Sequence, residues 1–329
     1  MTDKATSPEN FPSEPRKAWW QFSQSGAREC MAGLVVGLAG LFAARLGHIW
    51  VAFDVFAQFT IQFVFVAAAY LLGLLMPRLK LLAANVFLVI FIVAYGLWAH
   101  LSIDFVAQRA LPEGHRELKL MSFNTWFENR EFDQIRAEIE RADADVVGLV
   151  EFGRAKQPVL DALASKYPHR ASCFELDFCN FVILSKHPIK ASAARVGWAG
   201  PPLMWAQLGG AYDGLSVIAV HTIRFPHSRA QFRQVQELVK FLETIPGRRI
   251  VMGDFNASPY SRITQTLASQ TGLKRLTSLP SWPAWLLVPQ IAIDHIFVSP
   301  ELELFRTEAV GNAAGSDHLP ITLSVAVPP

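Results

Sequence analysis

The fold is decided by the stretch Ile250-Val251-Met252-Gly253-Asp254-Phe255-Asn256-Ala257-Ser258-Pro259, an apolar run that stops in Gly-Asp-Phe-Asn and turns at a proline. Side chains alternate along a strand, so Asp254 and Asn256 point the same way at the exit of a buried strand. A carboxylate can accept a proton and an amide can donate to an anion, and loops at strand ends are where rigid scaffolds hold catalytic groups. The alternative is an Asx turn that caps the strand, so the interpretation depends on the rest of the chain.

Polar side chains also lie at the tips of other apolar strands predicted after residue 117. Each has an ordinary structural explanation when taken alone: a turn cap, a helix start, a satisfied core histidine or an ion pair. Together with the Gly-Asp-Phe-Asn strand end, they make six places where polar residues stand at the tip of an apolar strand. Six separate structural explanations would be needed to account for them, which favours a common function. The other five are Asn124, Glu151, His221, Asp294-His295 and Gly315-Ser316-Asp317-His318.

The residue types in this set favour one kind of chemistry. Carboxylate and amide oxygens are hard ligands that suit Mg²⁺ or Mn²⁺ rather than zinc. Histidines beside them can transfer a proton or donate a charged hydrogen bond to an anionic oxygen. A hard metal ion next to an acid/base pair indicates phosphoryl transfer, in which the ion polarises a phosphate oxygen and a base activates water.

Taken in order, these segments closely resemble the motifs of the endonuclease/exonuclease/phosphatase superfamily, which has the DNase I-like fold. The resemblance covers about residues 118–325. It implies an α+β fold, a four-layer α/β/β/α sandwich of two stacked sheets with helices outside, and phosphoester hydrolysis with a divalent metal. The matching segments are Ser122-Phe123-Asn124-Thr125, Val150-Glu151, His221, Gly253-Asp254-Phe255-Asn256, Ile293-Asp294-His295-Ile296 and Ser316-Asp317-His318.

The resemblance also implies a role for each residue on the metal side of the site. Glu151 would be the principal ligand of Mg²⁺ or Mn²⁺, with Asn124 and Asp317 nearby. Asn124 would also contact the substrate. Asp254 would orient or deprotonate the attacking water, and Asn256 would hold the phosphate.

A second group would act on the phosphate. Asp294 would bond to His318, fixing its tautomer and favouring its protonated form beside the scissile phosphate. His221 would contact the phosphate from the other side. Asn180 matches a position where relatives often carry a polar residue and is a further substrate-binding candidate, whereas His295 is interpreted as structural.

Strand and helix patterns alternate from residue 118 onward, which predicts α+β or α/β layers around one core. Helices are predicted over 131–141, 157–167, 228–244 and 261–270, and strands near 118–124, 145–151, 170–176, 181–184, 203–208, 215–221, 249–254, 291–298, 302–309 and 319–325.

The first hundred residues predict a membrane anchor. Hydrophobic residues make up 51% of the chain, and mean hydropathy is +0.25. The excess lies in three apolar blocks, 30–50, 55–76 and 81–99, each near the ~20 residues that cross ~30 Å of hydrocarbon. We predict three transmembrane helices. A cleaved signal peptide is the alternative for the first block, but no A-x-A-like site follows it.

Three polar residues in this region have structural interpretations. Gln58 and Gln62 lie four apart in the second block, share a helix face, and are expected to bond across helices. Asp54 precedes that block, at the expected interface, and needs no functional explanation.

Basic residues in the short flanks give the orientation. Arg16, Lys17 and Arg28 precede the first span, and Arg78 and Lys80 fill the tight turn between the second and third spans. This places both flanks on the cytoplasmic side and everything after residue 100 outside; Arg45 is the dissenting charge. We therefore predict an integral protein of a bacterial inner membrane with an extracytoplasmic catalytic domain. The predicted regions are a disordered cytoplasmic tail (1–27), a transmembrane region (28–100), a connector (101–117) and the catalytic domain (118–329).

Cysteine usage is compatible with that compartment. Cys173 and Cys179 stand six apart around a predicted turn, where a disulfide in an oxidising compartment and two buried thiols are both plausible. No further cysteine or nearby histidine completes a soft-ligand set with them, which argues against zinc.

The substrate class is left open between a lipid headgroup and a nucleic acid. The part after residue 100 carries 23 basic and 23 acidic residues, unlike the basic surface expected of a polynucleotide-binding protein. Trp282 and Trp285 lie in a loop just before Asp294, where they either pack over the core or reach a bilayer interface. The alternative function is a catalytically silent, membrane-tethered binding or scaffold protein, although no metal ligand or water-activating acid is missing.

Overall fold

The described part of the chain leaves out the N-terminus and two short gaps. Residues 1–18 of the predicted tail and 101–109 of the predicted connector lie outside it. Residues 19–27, which the sequence assigned to the tail, are helical, because the first helix begins at Trp19. The computed structural model describes residues 19–100, 110–286 and 288–329.

The N-terminal region is helical. Its helices are α1 (Trp19–Leu46), α2 (Asp54–Ala57), α3 (Thr60–Leu75) and α4 (Lys80–His100), with a 3₁₀ turn at Val51–Phe53. Two segments within α1 and α4 are long and apolar enough to cross a membrane; α2 and α3 make a third only if joined across a 57° bend. Only 22% and 11% of the two segments is buried in the protein, so their apolar surfaces face outward, as lipid-facing helices do. Of the three predicted transmembrane helices, two are therefore candidate spans in the structure, and the bent pair is a third if it counts as one span.

The three long helices run up, down and up, and contact the rest of the chain at one end. Arg262 donates to Ile49 O beyond α1 (3.4 Å), Gln62 of α3 donates to Gln290 O (2.6 Å), and Gly96 of α4 packs against Val288. At the opposite end, Gly26 of α1 lies beside Leu81 of α4.

The predictions for the polar residues of the second block are wrong. Gln58 and Gln62 do not bond across the membrane helices, because Gln58 Oε1 accepts from Ser258 N (2.6 Å) and Gln62 bonds to Gln290. Asp54 is not an interfacial charge, since it is 1% exposed and accepts from Ser261 Oγ. These bonds attach the bent region around the break between α2 and α3 to the following domain.

The domain that follows the membrane region is built on two six-stranded sheets. The first has the order β11-β12-β1-β2-β4-β3 and the second β5-β6-β7-β8-β10-β9. Central pairs β1/β2 and β7/β8 are parallel. The strands are β1 (Arg116–Asn124), β2 (Val146–Val150), β3 (His169–Ser172), β4 (Phe181–Ser185), β5 (Ile189–Arg195), β6 (Leu203–Leu208), β7 (Leu215–His221), β8 (Arg248–Asp254), β9 (Lys274–Arg275), β10 (Asp294–Val298), β11 (Glu303–Val310) and β12 (Ile321–Val327).

The helices cover the outer faces of both sheets. They are α5 (Phe132–Ala142), α6 (Gln157–Ala162), α7 (Ser228–Glu243) and α8 (Arg262–Thr271). Alternate strand residues of both sheets, such as Leu120 and Met252, pack into one inner core. Their outward neighbours pack with α5 and α6 on one side and with α7 and α8 on the other. The predicted α+β architecture with two stacked sheets is confirmed.

Smaller departures have local causes. The edge strand β5 was not predicted, because most of its residues are exposed and it lacks an apolar face. The helix predicted over 157–167 is shorter and ends at Ala162. Cys173 and Cys179 form a disulfide that closes the turn between β3 and β4.

Candidate functional site

The register of the central strands brings the predicted polar residues to one edge. In the first sheet, Asn124 pairs with the last residue of β2, directly before Glu151. In the second sheet, His221 pairs with Asp254, and Asp254 also pairs with Asp294 of the antiparallel strand β10. Parallel neighbours end at the same edge, and β10 begins there. The edges enclose a cleft of about 630 Å³.

Asp254 is the centre of this cluster and is 1% exposed. Its Oδ1 accepts from Asn256 N (2.7 Å), and its Oδ2 accepts from the amides of Asn124 and Asn256 (both 3.1 Å). The same oxygen lies 3.5 Å from His221 Nε2 and 3.7 Å from His318 Nε2. Burial raises the pKa of Asp254 to about 6, while His318 works in the opposite direction. The carboxylate can therefore exchange a proton near neutral pH.

Glu151 is held at the other side of the cluster by a strained backbone and two donors. Its φ of 54° is left-handed, which a residue with a Cβ adopts at a cost. Phe127 N donates to Oε2 (2.9 Å) and the Asn124 amide to Oε1 (3.1 Å), with His221 Nε2 3.6 Å away. Burial opposes ionisation of Glu151, but His221 and the two donors outweigh it and hold its pKa below the ordinary value. The carboxylate is therefore charged.

Lys156 supports this backbone and was missed by the sequence analysis. The side chain is fully buried, and its ammonium donates to the carbonyls of Trp126 (2.8 Å), Phe127 (3.2 Å) and Glu151 (3.1 Å). Burial lowers its pKa to about 8. In the polar run Arg154-Ala155-Lys156-Gln157 a lysine is typical of an exposed surface, so no sequence signal marks Lys156 as an internal support.

Asp294 and His318 form a buried pair. His318 Nδ1 lies 2.8 Å from Asp294 Oδ2, which also accepts from Ser281 Oγ (2.6 Å). Burial disfavours a charged imidazole, but Asp294 and Asp254 outweigh it and raise the pKa of His318 to about 10. His318 is thus protonated at neutral pH, with Nε2 facing Asp254. Among the described residues, Asp294 Oδ1 has no hydrogen-bond partner.

The donor atoms fit a hard divalent ion on the Glu151 side. Atoms of Glu151, His221 and Asp254 lie within 4.8 Å of one another, and so do atoms of Asp254, Asp294 and His318. A protonated imidazole cannot be a ligand, which makes the second group unsuitable. The first offers two carboxylates, whose oxygens suit Mg²⁺ or Mn²⁺, with an imidazole nitrogen beside them.

The remaining predicted residues lie at different distances from this cluster. Asn124 bridges Glu151 and Asp254 through its NH₂ group, while its oxygen accepts from Trp126 N (2.9 Å). Asp317 lines the cleft beside His318, where its Oδ2 accepts from Trp282 Nε1 (3.3 Å).

Two further residues lie outside the cleft. Asn180 lies beside Gly153 and pairs through its carbonyl with Phe152 N (2.9 Å). His295 is fully buried, with Nε2 2.8 Å from Ala257 O and Nδ1 3.1 Å from Thr277 Oγ1. Burial lowers the pKa of His295 to about 3, so its ring is neutral and structural.

Comparison with known proteins gives the same result as the motifs. A family model described as "Endonuclease/Exonuclease/phosphatase family" matches residues 121–318. The chain belongs to this family. Endonuclease/exonuclease/phosphatase proteins are typically metal-dependent phosphoesterases or nucleases. No curated protein sequence matches the chain.

Solved structures of the endonuclease/exonuclease/phosphatase fold are similar at low identity. An endonuclease/exonuclease/phosphatase from Bacteroides vulgatus has a TM-score of 0.55 and 17% identity, covering 64% of this chain and 99% of that one. Beta toxin from Staphylococcus aureus with bound magnesium ions has a TM-score of 0.53 and 16% identity, covering 65% and 100%. The human Nocturnin catalytic domain with bound sulfate has a TM-score of 0.51 and 17% identity, covering 67% and 100%. These likenesses show the fold.

Proposed function

We propose that this protein is a membrane-anchored phosphoesterase that uses Mg²⁺ or Mn²⁺ to hydrolyse a phosphodiester or phosphomonoester with water. One observation carries the proposal: the Glu151, His221 and Asp254 cluster shares a cleft with the Asp294–His318 pair. The cleft thus combines a hard-ion site, a carboxylate that can accept a proton, and a protonated imidazole for an anionic oxygen.

The roles follow from these contacts. Glu151 would hold the ion together with Asp254 or His221, with Asn124 and Asp317 nearby; the ion supplies charge stabilisation to a phosphate oxygen. Asp254 would orient water and take its proton. His318 would donate from Nε2 to a phosphate oxygen while Asp294 holds Nδ1.

Other groups in the cleft would hold the phosphate. His221 and Asn256 line it, and Arg224 adds a positive charge there. The Asn256 amide also donates to Thr222 O (3.1 Å) and to Asp254, so binding phosphate would compete with these bonds. Asn180 would act on substrate only if the substrate extended beyond the cleft.

Metal dependence is the first test. Purified protein should hydrolyse bis-p-nitrophenyl phosphate with Mg²⁺ or Mn²⁺, lose that activity with EDTA and regain it when the ion is restored in excess. Absence of hydrolysis with either ion, in protein shown to be folded, would instead support a silent scaffold.

Two structural features support an extracytoplasmic catalytic domain. The up, down and up helices place Arg28, Arg78 and Lys80 at the end opposite to the domain, as the positive-inside rule requires for that orientation. The disulfide between Cys173 and Cys179 suits an oxidising compartment. The protein would then lie in a bacterial inner membrane with its cleft outside the cytoplasm.

A lipid headgroup is the substrate that the surroundings of the cleft favour. Phe225 and Trp282 line the cleft with their rings 6.4 Å apart, and Phe59 of the membrane region meets Phe225 edge-on at 5.9 Å. In the loop that contains Trp282, the Trp285 side chain is 71% exposed and Val288 packs against α4. The two tryptophans therefore fit different predicted alternatives. Trp282 packs in the cleft wall, whereas Trp285 projects outward at the membrane end, where it could reach a bilayer interface.

Trp285 gives a test of the lipid hypothesis. Trp285→Ser should lower hydrolysis of phospholipid in vesicles about tenfold or more, since burying a large apolar side chain contributes roughly 1.5–3 kcal/mol and tryptophan favours the bilayer interface. Hydrolysis of bis-p-nitrophenyl phosphate should not change, because the side chain does not line the cleft. Faster hydrolysis by the wild type of single-stranded DNA or RNA than of any phospholipid or sphingolipid would reject the lipid assignment.

A further inference from the structure

The contact between the membrane region and the catalytic domain contains buried polar groups. Asp54 is 1% exposed and Gln58 2%, although both belong to an apolar part of the sequence. Burying such groups is unfavourable unless hydrogen bonds replace water. Residues 54–59, called here the docking segment, obtain those bonds from residues 258–262, which follow the Gly-Asp-Phe-Asn strand end.

Asp54 binds the start of α8 with both carboxylate oxygens. Oδ2 accepts from Ser261 Oγ (2.5 Å) and Oδ1 from Arg262 N (2.6 Å). Ser261 is the N-cap of α8, and its Oγ also accepts from Ile263 N (3.1 Å). An anion at a helix N-terminus is favoured by the unpaired N–H groups and the helix dipole. The docking segment thereby fixes where α8 begins.

Ser258 is held by the docking segment through its backbone and its side chain. Gln58 Oε1 accepts from Ser258 N (2.6 Å), and Ser258 Oγ donates to Ala57 O (2.8 Å). Ser258 is buried and lies two residues after Asn256 and four after Asp254. A displacement of the Ser258 backbone therefore also displaces the nearby Asp254, the carboxylate predicted to activate water.

The residue before Ser258 is held from the opposite side. His295 Nε2 donates to Ala257 O (2.8 Å), and His295 directly follows Asp294, the partner of His318. Residues 254–258, called here the catalytic loop, are thus clamped between strand β10 and the docking segment. The clamp therefore acts on the loop that begins at Asp254, and its β10 side includes Asp294, which pairs with Asp254 in the sheet and bonds to His318.

We propose that Asp54 and Gln58 are positioning residues, through which the membrane region sets the geometry of the catalytic loop. The inference rests on the proposed phosphoesterase function. It means that turnover depends on the docking segment even for a small soluble substrate that needs no bilayer. A tether that only kept the domain near lipid would leave such turnover unchanged.

Gln62 is a matched control for Gln58. It also bonds from the membrane region to the following domain, but to Gln290 O and not to the catalytic loop. Full-length protein in detergent should be assayed on bis-p-nitrophenyl phosphate with saturating Mn²⁺. Gln58→Met should lower kcat about ten- to a hundredfold and leave KM within about twofold, since small displacements of catalytic groups cost this much. Gln62→Met should keep the wild-type kcat.

Asp54 allows a rescue experiment on the same contact. Asp54→Leu removes both acceptor oxygens, whereas Asp54→Asn keeps one in nearly the same shape. Turnover should fall in the leucine variant and be largely retained in the asparagine variant. Equal loss in both would contradict a role through the acceptor oxygens.

Hydrogen exchange separates this proposal from the proposed function. Amides of residues 255–263 should exchange faster in Gln58→Met than in Gln62→Met, whether or not the protein hydrolyses the substrate. A wild type without metal-dependent hydrolysis would reject the function and leave this comparison intact. If Gln58→Met does not fold, Ser258→Ala is judged by the same two measurements; it removes the bond from Ser258 Oγ to Ala57 O and the longer one from Tyr260 N to Ser258 Oγ. Unchanged exchange and kcat in the folded variant, or equal loss of kcat in the Gln62→Met control, would overturn the proposal.

Discussion

Replacing Asp254 with asparagine should lower kcat for phosphodiester hydrolysis by about 10²–10⁴-fold, the usual contribution of a positioned general base. The asparagine has the same shape but cannot take a proton. It would also turn an NH₂ group toward the amides of Asn124 and Asn256, which now donate to Asp254 Oδ2. Steady-state kinetics of the purified variant on bis-p-nitrophenyl phosphate measure the effect, and circular dichroism checks folding.

Glu138 offers a matched control for this substitution. Its side chain is also buried, at 3% exposure, but it belongs to α5 and pairs with Arg141 outside the cleft. Glu138→Gln should therefore keep the wild-type kcat even if it lowers the unfolding temperature. A folded Asp254→Asn variant with full activity would show that another group activates the water.

The strand-end residues could be predicted because strand geometry is a local property. A carboxylate that directly follows an apolar run, such as Asp254 or Glu151, marks the point where the chain leaves the core at the end of a strand. The gathering of these tips follows from two parallel pairs, β1/β2 and β7/β8, whose ends share an edge. The order of the motifs indicated that arrangement without coordinates.

The partners of each residue across the cleft were harder to predict. The sequence analysis placed Asp317 with Glu151 as a metal-side residue, whereas the structure groups Glu151 with His221 and Asp254. Asp317 lines the same cleft as Glu151, and its Oδ1 lies 4.0 Å from His318 Nε2. Both carboxylates follow or precede a strand in the sequence, and only the packing of the two sheets decides which one meets which.

Asp54 and Gln58 could not be assigned from the sequence for a related reason. Their partners lie about two hundred residues away, and the local pattern offers only a membrane interface or a neighbouring helix. Hydropathy averages over a window, so a broken helix pair and a straight span look the same. The distant hydrogen bonds lie beside the bend of 57°, and hydropathy detects neither the bonds nor the bend.

Replacing Asp294 with asparagine should narrow the pH range of activity and lower its maximum. Hydrolysis as proposed needs Asp254 without a proton and His318 with one. Burial raises the pKa of Asp254 to about 6, and the carboxylates of Asp294 and Asp254 raise that of His318 to about 10 against the effect of burial. The wild-type profile of kcat/KM should therefore rise through the first value and fall through the second.

Burial lowers the pKa of His318, and the negative charge of Asp294 is the main effect that raises it. Without that charge, the pKa of His318 should fall toward or below about 6.5, the ordinary value for histidine. The alkaline limb then moves down. The acidic limb moves down less, because burial is the main cause of the raised pKa of Asp254 and the charge of Asp294 a smaller one. The pH range in which the enzyme carries both required protonation states therefore narrows. Ser281→Ala removes a neutral donor to the same carboxylate oxygen but keeps the charge, and its alkaline limb should stay where the wild type has it. An Asp294→Asn profile with an unmoved alkaline limb would show that His318 does not act as the acid.

The raised pKa of His318 also predicts how the free energy of unfolding depends on pH. A histidine with a raised pKa in the folded state contributes stability in full below its unfolded value of about 6.5, and this contribution is lost as pH rises through the folded value. For His318 the folded value is about 10. The difference in unfolding free energy between wild type and Asp294→Asn should therefore be largest at and just below about pH 6.5 and shrink as pH rises toward 10, because the ion pair with Asp294 disappears as His318 loses its proton. Chemical denaturation at several pH values measures this difference without any substrate, so it tests the buried pair even if the reaction proves to be another one.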